Sequence, residues 1–166
     1  MHDQLTEMDI KKMKEELNYR VVTLRHELLE EVKRTREFGD LSENAEYKCA
    51  KDAQRKNESR IRYLTGMINT ADVVTTFEKG NRIGMLSMVK ILFVEDEEEQ
   101  DIQLVSTLRV DIDKGFVSVK SPLGQALLGH KPGDTVTVHV SDTVSYDVIV
   151  LEVGQGEDAD LPIRQF

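Results

Sequence analysis

Two carboxylates three residues apart, Asp40 and Glu43, lie in the stretch Phe38-Gly39-Asp40-Leu41-Ser42-Glu43-Asn44-Ala45-Glu46-Tyr47. Carboxylate oxygens are hard ligands suited to a divalent cation. Magnesium takes few protein carboxylates and several waters or phosphate oxygens, so two acids alone can only complete a site begun elsewhere. The same pair also suits a structural task. Asp-x-x-Glu at a helix start fits a capping box, in which Asp40 accepts from the amide three residues on and Glu43 reaches back. Both acids would then sit at the positive end of the helix dipole. The two readings are compatible, because each carboxylate has two oxygens. Basic residues flank the acids: Arg36 before them, and Lys48, Lys51, Arg55 and Lys56 after. These are either ordinary helix-surface charge or a cationic strip able to meet RNA phosphates.

The elements on either side must position that stretch. From Asp9 to Phe38 there is neither Gly nor Pro, and Ile10, Met13, Leu17, Val21, Leu24, Leu28 and Val32 recur in steps of three and four. That spacing predicts one face of a helix about 45 Å long, with too narrow a stripe to form a core alone. Gly39 suits the left-handed position just past a helix end. A second helix is predicted from about Leu41 to Ala71, with Ala45, Cys49, Ala53, Ile61, Leu64, Ile68 and Ala71 on one face and Asn57 interrupting it. A short connection between long helices favours an antiparallel hairpin. Its tip is 38–47, and its seam is larger and more apolar away from the tip.

Residues 72–82 lose the helical period and include the turn signal Gly80-Asn81. Beyond them β-type segments recur at Met85–Val94, Ile102–Thr107, Phe116–Lys120, Thr135–Val140 and Val144–Val153. Asp96 to Glu99, with Asp101, read as an acidic hairpin loop. Ser121 and Pro122 read as N-cap and first residue of a short helix through Leu128, stopped by Gly129. Lys131-Pro132-Gly133-Asp134 reads as a turn. The expected fold is α+β: an antiparallel coiled coil over 1–75, then a small antiparallel β domain with one short helix over 76–166.

Composition narrows the function classes. The 166 residues carry a formal charge of −9, which argues against a protein that coats nucleic acid. Residues 1–75 hold 14 Lys/Arg and 15 Asp/Glu, a net −1, and 76–166 hold 8 and 16, a net −8. Only the near-neutral half suits a place beside nucleic acid. One cysteine, Cys49, and the scattered His2, His26, His130 and His139 give no basis for a disulfide framework, a structural zinc site or histidine catalysis. The N-terminus lacks a basic region followed by an apolar core, and Met85–Val94 is too short to span a bilayer, so a cytoplasmic location without membrane contact is expected.

Arg36-Glu37-Phe38-Gly39-Asp40-Leu41-Ser42-Glu43-Asn44-Ala45-Glu46-Tyr47 closely resembles the tip motif of the bacterial Gre transcript-cleavage factors, especially the GreA type. The resemblance continues at Ser121-Pro122-Leu123-Gly124-Gln125-Ala126-Leu127-Leu128-Gly129 and Gly133-Asp134, and so covers nearly the whole chain. It implies a coiled coil that enters the secondary channel of RNA polymerase, and an FKBP-like second domain, without isomerase activity, that docks at the channel rim. Asp40 and Glu43 are then expected to help retain a Mg²⁺ shared with the polymerase, and none in the isolated protein. The substrate would be the 3′ end of a backtracked nascent RNA, with the chain completing the polymerase's site rather than acting as an enzyme itself. The resemblance further implies an RNA-binding basic patch including Arg36 and Lys51, which Arg55 extends. It implies a tip scaffold of Gly39, Asn44 and Tyr47, and a docking loop of Ser121, Pro122, Leu123 and Gly124. A monomer in isolation is expected.

The sequence departs from the family pattern at Thr35, where a small Ala is common, at Phe38, and at Val105-Ser106-Thr107, where a Val-Gly pair is usual. Gly154 to Phe166 form an added polar tail. A Gre-fold inhibitor of the same channel is the competing reading, which the intact Asp40 and Glu43 disfavour. A polymerase-independent coiled-coil adaptor is a third.

Overall fold

The computed structural model describes residues 3–37, 44–74 and 81–165. The chain forms two compact units. One contains Met1–Asp3 and Ile10–Asp72, the other Gln4–Asp9 and Val73–Phe166. The segment Gln4–Asp9, early in the chain, therefore belongs with the later half.

In the first unit the chain runs up as α1 (Glu7–Tyr19, of which Ile10 onward lies here) and α2 (Arg25–Arg36), and returns as α3 (Ala45–Thr70). The side-chain pairs Glu16–Arg60, Arg20–Asn57 and Arg25–Glu58, and the bond from the Asn44 side chain to the Thr35 carbonyl, join residues ever closer in sequence toward one end, which defines an antiparallel hairpin. The 26 residues of α3 extend about 39 Å. At the base, Met13 and Leu64 are fully enclosed and Ile61 is buried. Toward the tip the buried residues among those described are Val32, Thr35 and Ala50, a slimmer set.

Three expectations for this hairpin are corrected. Arg20–Leu24 is a π-helical turn between α1 and α2, with the Arg25 amide bonded to the Arg20 carbonyl. The extra residue rotates the helix face, so Val21 is exposed and Arg20 turns into the seam in its place. On the return helix Ala50 is buried and Cys49 exposed, which moves the seam by one residue from the expected Cys49. The return helix begins at Ala45 rather than Leu41. Asn44 precedes it with φ −82° and ψ 97°, an extended backbone, and is its N-cap, while the expected capping box of Asp40 and Glu43 lies outside the described residues.

Besides the short paired strands β1 (Gln4–Leu5) and β2 (Asp72–Val73), the chain forms a five-stranded sheet in the second unit in the order β5-β4-β3-β7-β6, from β3 (Ser87–Phe93), β4 (Glu98–Val105), β5 (Phe116–Ser118), β6 (Thr135–His139) and β7 (Ser145–Gln155). Alternation in β6 places Val136 and Val138 in the core and Thr135, Thr137 and His139 outside. Ile83, Val89, Ile91, Leu104, Leu127, Val148 and Val150 are among the residues that share this core. The sheet is mixed rather than antiparallel throughout, because β5 lies parallel to β4. The intervening chain crosses over through two 3₁₀ turns, Thr107–Arg109 and Ile112–Lys114, before β5. The expected acidic loop is also corrected: Glu98 to Asp101 are strand residues paired with Phe93 to Lys90, and the turn lies at Val94–Glu97.

The short helix α4 (Pro122–Leu127) has Ser121 as N-cap and Pro122 in its first turn, and Gly129 beyond it takes φ 79°. At the N-terminal side of this unit the Val74 amide donates to the Leu5 carbonyl, so Leu5 enters fully buried. Among the described residues no helix is long and apolar enough to cross a membrane.

Candidate functional site

Gly39, Asp40 and Glu43 lie outside the described residues, which end at Glu37 and resume at Asn44. Thr35, in the last turn of α2, is fully buried, and its hydroxyl donates back to the Glu31 and Val32 carbonyls. Asn44 faces it from the start of α3. Its Oδ1 accepts from the Tyr47 amide at 3.0 Å, and its Nδ2 donates to the Thr35 carbonyl at 2.8 Å. One side chain thus caps the return helix and ties it to a carbonyl in the last turn of the outgoing one, which also accepts from the Glu37 amide. The segment carrying both candidate acids joins two helix ends that Asn44 holds together. Tyr47, half-buried, follows one turn later.

The candidate cations surround this end. Arg36 is exposed in the last turn of α2 beside Lys33 and Arg34. Lys48, Lys51 and Arg55 are spaced by three and four along α3 and therefore share a face. Lys48 and Arg55 are exposed, while Lys51 is half-buried and donates to Gln54 Oε1 at 3.3 Å. Arg55 Nη1 lies 3.4 Å from Asp52 Oδ1, an exposed pair that leaves its charge largely available. Among the described residues no three His, Cys, Asp or Glu side chains gather as a metal site.

Farther down the hairpin lies a buried polar layer that the spacing of Asn57 only hinted at. Glu16 binds Arg60 through two bonds, Nε–Oε1 at 2.9 Å and Nη2–Oε2 at 3.1 Å, and Arg20 Nε at 2.7 Å. Arg20 Nη1 donates to Asn57 Oδ1 at 3.0 Å, and Asn57 Nδ2 returns to the Arg20 carbonyl at 3.4 Å, within the π turn. Burial raises the Glu16 pKa, but the hydrogen bonds from Arg60 and Arg20 and their charges outweigh it and hold the carboxyl below its ordinary value of 4.5.

In the second unit, Ser121 Oγ accepts from the Gly124 amide at 3.0 Å and donates to the Ser118 carbonyl at 2.7 Å, so its hydroxyl is committed to shaping the loop. Gly124 is buried: a Cβ there would fall 2.1 Å from the Ser118 carbonyl oxygen. Pro122 is exposed and Leu123 half-buried. Both border an apolar cleft of about 340 Å³ with Ile112, Val140 and Tyr146 along its edges. Ile112 is 76% exposed and Val140 53%, so the cleft mouth presents aliphatic surface to solvent. Sequence reasoning found Pro122 and Leu123 but missed Ile112, Val140 and Tyr146, which converge only through the sheet topology.

Comparison with known proteins gives matches along most of the chain. Residues 3–73 match the family described as "Transcription elongation factor, N-terminal", and residues 78–155 match "Transcription elongation factor, GreA/GreB, C-term". The proteins named transcription elongation factor GreA from Brucella canis and Brucella suis are each 37% identical over 150 residues, which cover 89% of this chain and 96% of the relative. Among solved structures, GreA factor homolog 1 of Thermus thermophilus aligns over 93% of this chain and 99% of its own at 22% identity and a TM-score of 0.43. A GreA/GreB factor from Nitrosomonas europaea aligns over 92% and 98% at 19% identity and a TM-score of 0.39.

Proposed function

The chain belongs to the GreA/GreB family of transcription elongation factors, and from that premise we propose that it binds RNA polymerase and stimulates intrinsic cleavage of backtracked nascent RNA. The hairpin inserts into the polymerase secondary channel, and its tip brings Asp40 and Glu43 to the RNA 3′ end. The observation that carries this reading is the Asn44–Thr35 bond, which closes the two helices on either side of the segment bearing both acids. A slim rod with a closed end can deliver a short acidic loop to a confined site, and the small residues in its upper seam keep it narrow.

Asp40 and Glu43 are the chain's candidate magnesium ligands. Two hard carboxylates fit a partial shell and not a complete one, which agrees with a cation shared with the polymerase rather than owned by this protein. When bound, such a cation lowers the pKa of an attacking water and stabilises the leaving oxygen. The chain's own contribution is positional: Asn44 fixes the loop's ends, and Arg36, Lys51 and Arg55 offer positive charge to the RNA backbone. The cleft beside Pro122 and Leu123 supplies an apolar surface for docking on the polymerase.

The test uses stalled, backtracked elongation complexes with 3′-labelled RNA. The native protein releases short 3′-proximal fragments, whereas Asp40→Ala and Glu43→Ala bind the complex equally and release none. Suppression of cleavage by the native protein would instead establish a channel-binding inhibitor.

A further inference from the structure

The tail beyond β7 is not loose polar sequence: it folds back over the second unit and ends in a buried ionic cluster. Arg109, 4% exposed, sits at the centre. Its Nε pairs with Asp9 Oδ1 at 2.6 Å, its Nη2 donates to Asp158 Oδ1 at 2.5 Å and to Thr6 Oγ1 at 2.7 Å, and its Nη1 donates to the Ala159 carbonyl at 2.9 Å. Thr6 and Asp9 are themselves a reciprocal capping box at the start of α1. The Asp9 amide donates to Thr6 Oγ1 at 3.2 Å, and the Thr6 amide donates to Asp9 Oδ2 at 3.0 Å. The Met8 amide, which that box leaves open, donates to Asp158 Oδ2 at 3.3 Å. Asp158 therefore caps a helix that starts 150 residues earlier.

The charges explain why all three partners are needed. Asp9 and Asp158 place two carboxylates at one helix start, where the dipole favours them but their mutual repulsion and the burial of Asp9 oppose them. Arg109 pairs with both and offsets their repulsion. Take Asp158 away, and the Met8 amide, the Thr6 hydroxyl and one arm of Arg109 lose their charged partner.

We propose that Gly156–Arg164 is a clasp on the first turn of α1, closed by Asp158 through Arg109, and that this tail, not the Thr6–Asp9 box alone, keeps that turn ordered. The tail is built to seat rather than to fill the core. Gly156 passes so close to Leu86 that a Cβ would lie 2.1 Å from its carbonyl oxygen, the Arg164 amide donates to the Leu108 carbonyl at 2.7 Å, and Ile163 is the tail's buried apolar anchor. Asp158, with its side chain 26% exposed, stays within reach of solvent.

Amide hydrogen exchange on the full-length protein tests this without polymerase. In Asp158→Ala, Met8 and Asp9 are expected to exchange about tenfold faster or more, the size expected for losing a charge-assisted hydrogen bond. Val138 and Val150 in the sheet keep their protection. Asp158→Asn, which retains an acceptor without the charge, falls between. Unchanged exchange at Met8 and Asp9 in Asp158→Ala would overturn the proposal. So would equal loss at Val138 and Val150, which would make the tail part of the core and not a clasp.

Discussion

Asn44 and Thr35 are joined across the end of the helical hairpin by a 2.8 Å bond from the Asn44 Nδ2 to the Thr35 carbonyl, while the same side chain accepts from the Tyr47 amide. Removing the side chain removes both interactions. Asn44→Ala is expected to destabilise the hairpin by about 2 kcal/mol, a lost N-cap plus a lost hydrogen bond. Asn44→Asp keeps the cap and loses the donor to Thr35, and should cost about half as much. Thermal unfolding of the three proteins measures the difference. The transcript-cleavage assay should fall in the same order, because Asp40 and Glu43 lie in sequence between Thr35 and Asn44.

Glu16 makes the hairpin's stability pH-dependent. Its folded pKa lies below 4.5, so its contribution is complete above about pH 4.5 and is lost as the pH falls through the lower folded value. Denaturant midpoints between pH 7 and pH 3 should therefore drop more steeply for the native protein than for Glu16→Gln, whose partner atoms remain but whose proton uptake does not. Glu16→Ala at pH 7 should cost about 3 kcal/mol, since it leaves the Arg60 guanidinium, 7% exposed, without its paired carboxylate.

That layer also marks where the sequence stops being readable. The three-and-four spacing from Ile10 to Val32 correctly implies a helix with one packed face, because that periodicity is local. It cannot reveal the extra residue at Arg20–Leu24, since a π turn leaves no compositional mark. By spacing alone Val21 belongs to the seam, whereas the π turn exposes it and brings Arg20 to Asn57. Asn57, an interruption by pattern, is explained only by its partner 37 residues away. Asp40-Leu41-Ser42-Glu43 fits a capping box by spacing, yet Asn44 takes the cap because its own backbone is extended. A true box, Thr6-Glu7-Met8-Asp9, stands earlier in plain view, although nothing local ties it to Asp158. Ser121-Pro122 was legible as a helix start because that signal is entirely local.

Gly124 and Ile112 separate folding from docking. At Gly124 a methyl group would overlap the Ser118 carbonyl, backbone against backbone, so Gly124→Ala should lower stability by about 3 kcal/mol and weaken polymerase binding only through misfolding. Ile112, exposed at the cleft mouth, makes the opposite prediction. Ile112→Asp should leave the melting temperature within about 2 °C of native, as surface changes usually do, while reducing polymerase affinity about tenfold or more if this cleft docks. Binding to core polymerase and a melting curve on the same two variants decide the matter.

The cationic face of α3 should act through charge rather than through specific geometry. Lys48, Lys51 and Arg55 span two helical turns, about 10 Å, and none is locked into a buried ion pair. Contacts with RNA phosphates are screened by salt and have no base preference. Replacing Lys51 and Arg55 together by Gln should reduce transcript cleavage about tenfold at low ionic strength, with fragments from unrelated RNA sequences falling alike. The deficit should shrink as salt is raised and the native protein loses the same attraction. Hairpin stability should change by less than about 1 kcal/mol, because the exposed Arg55–Asp52 pair contributes little to folding. A deficit that stayed constant with salt, or that depended on RNA sequence, would mean that these residues position the tip instead of holding the transcript.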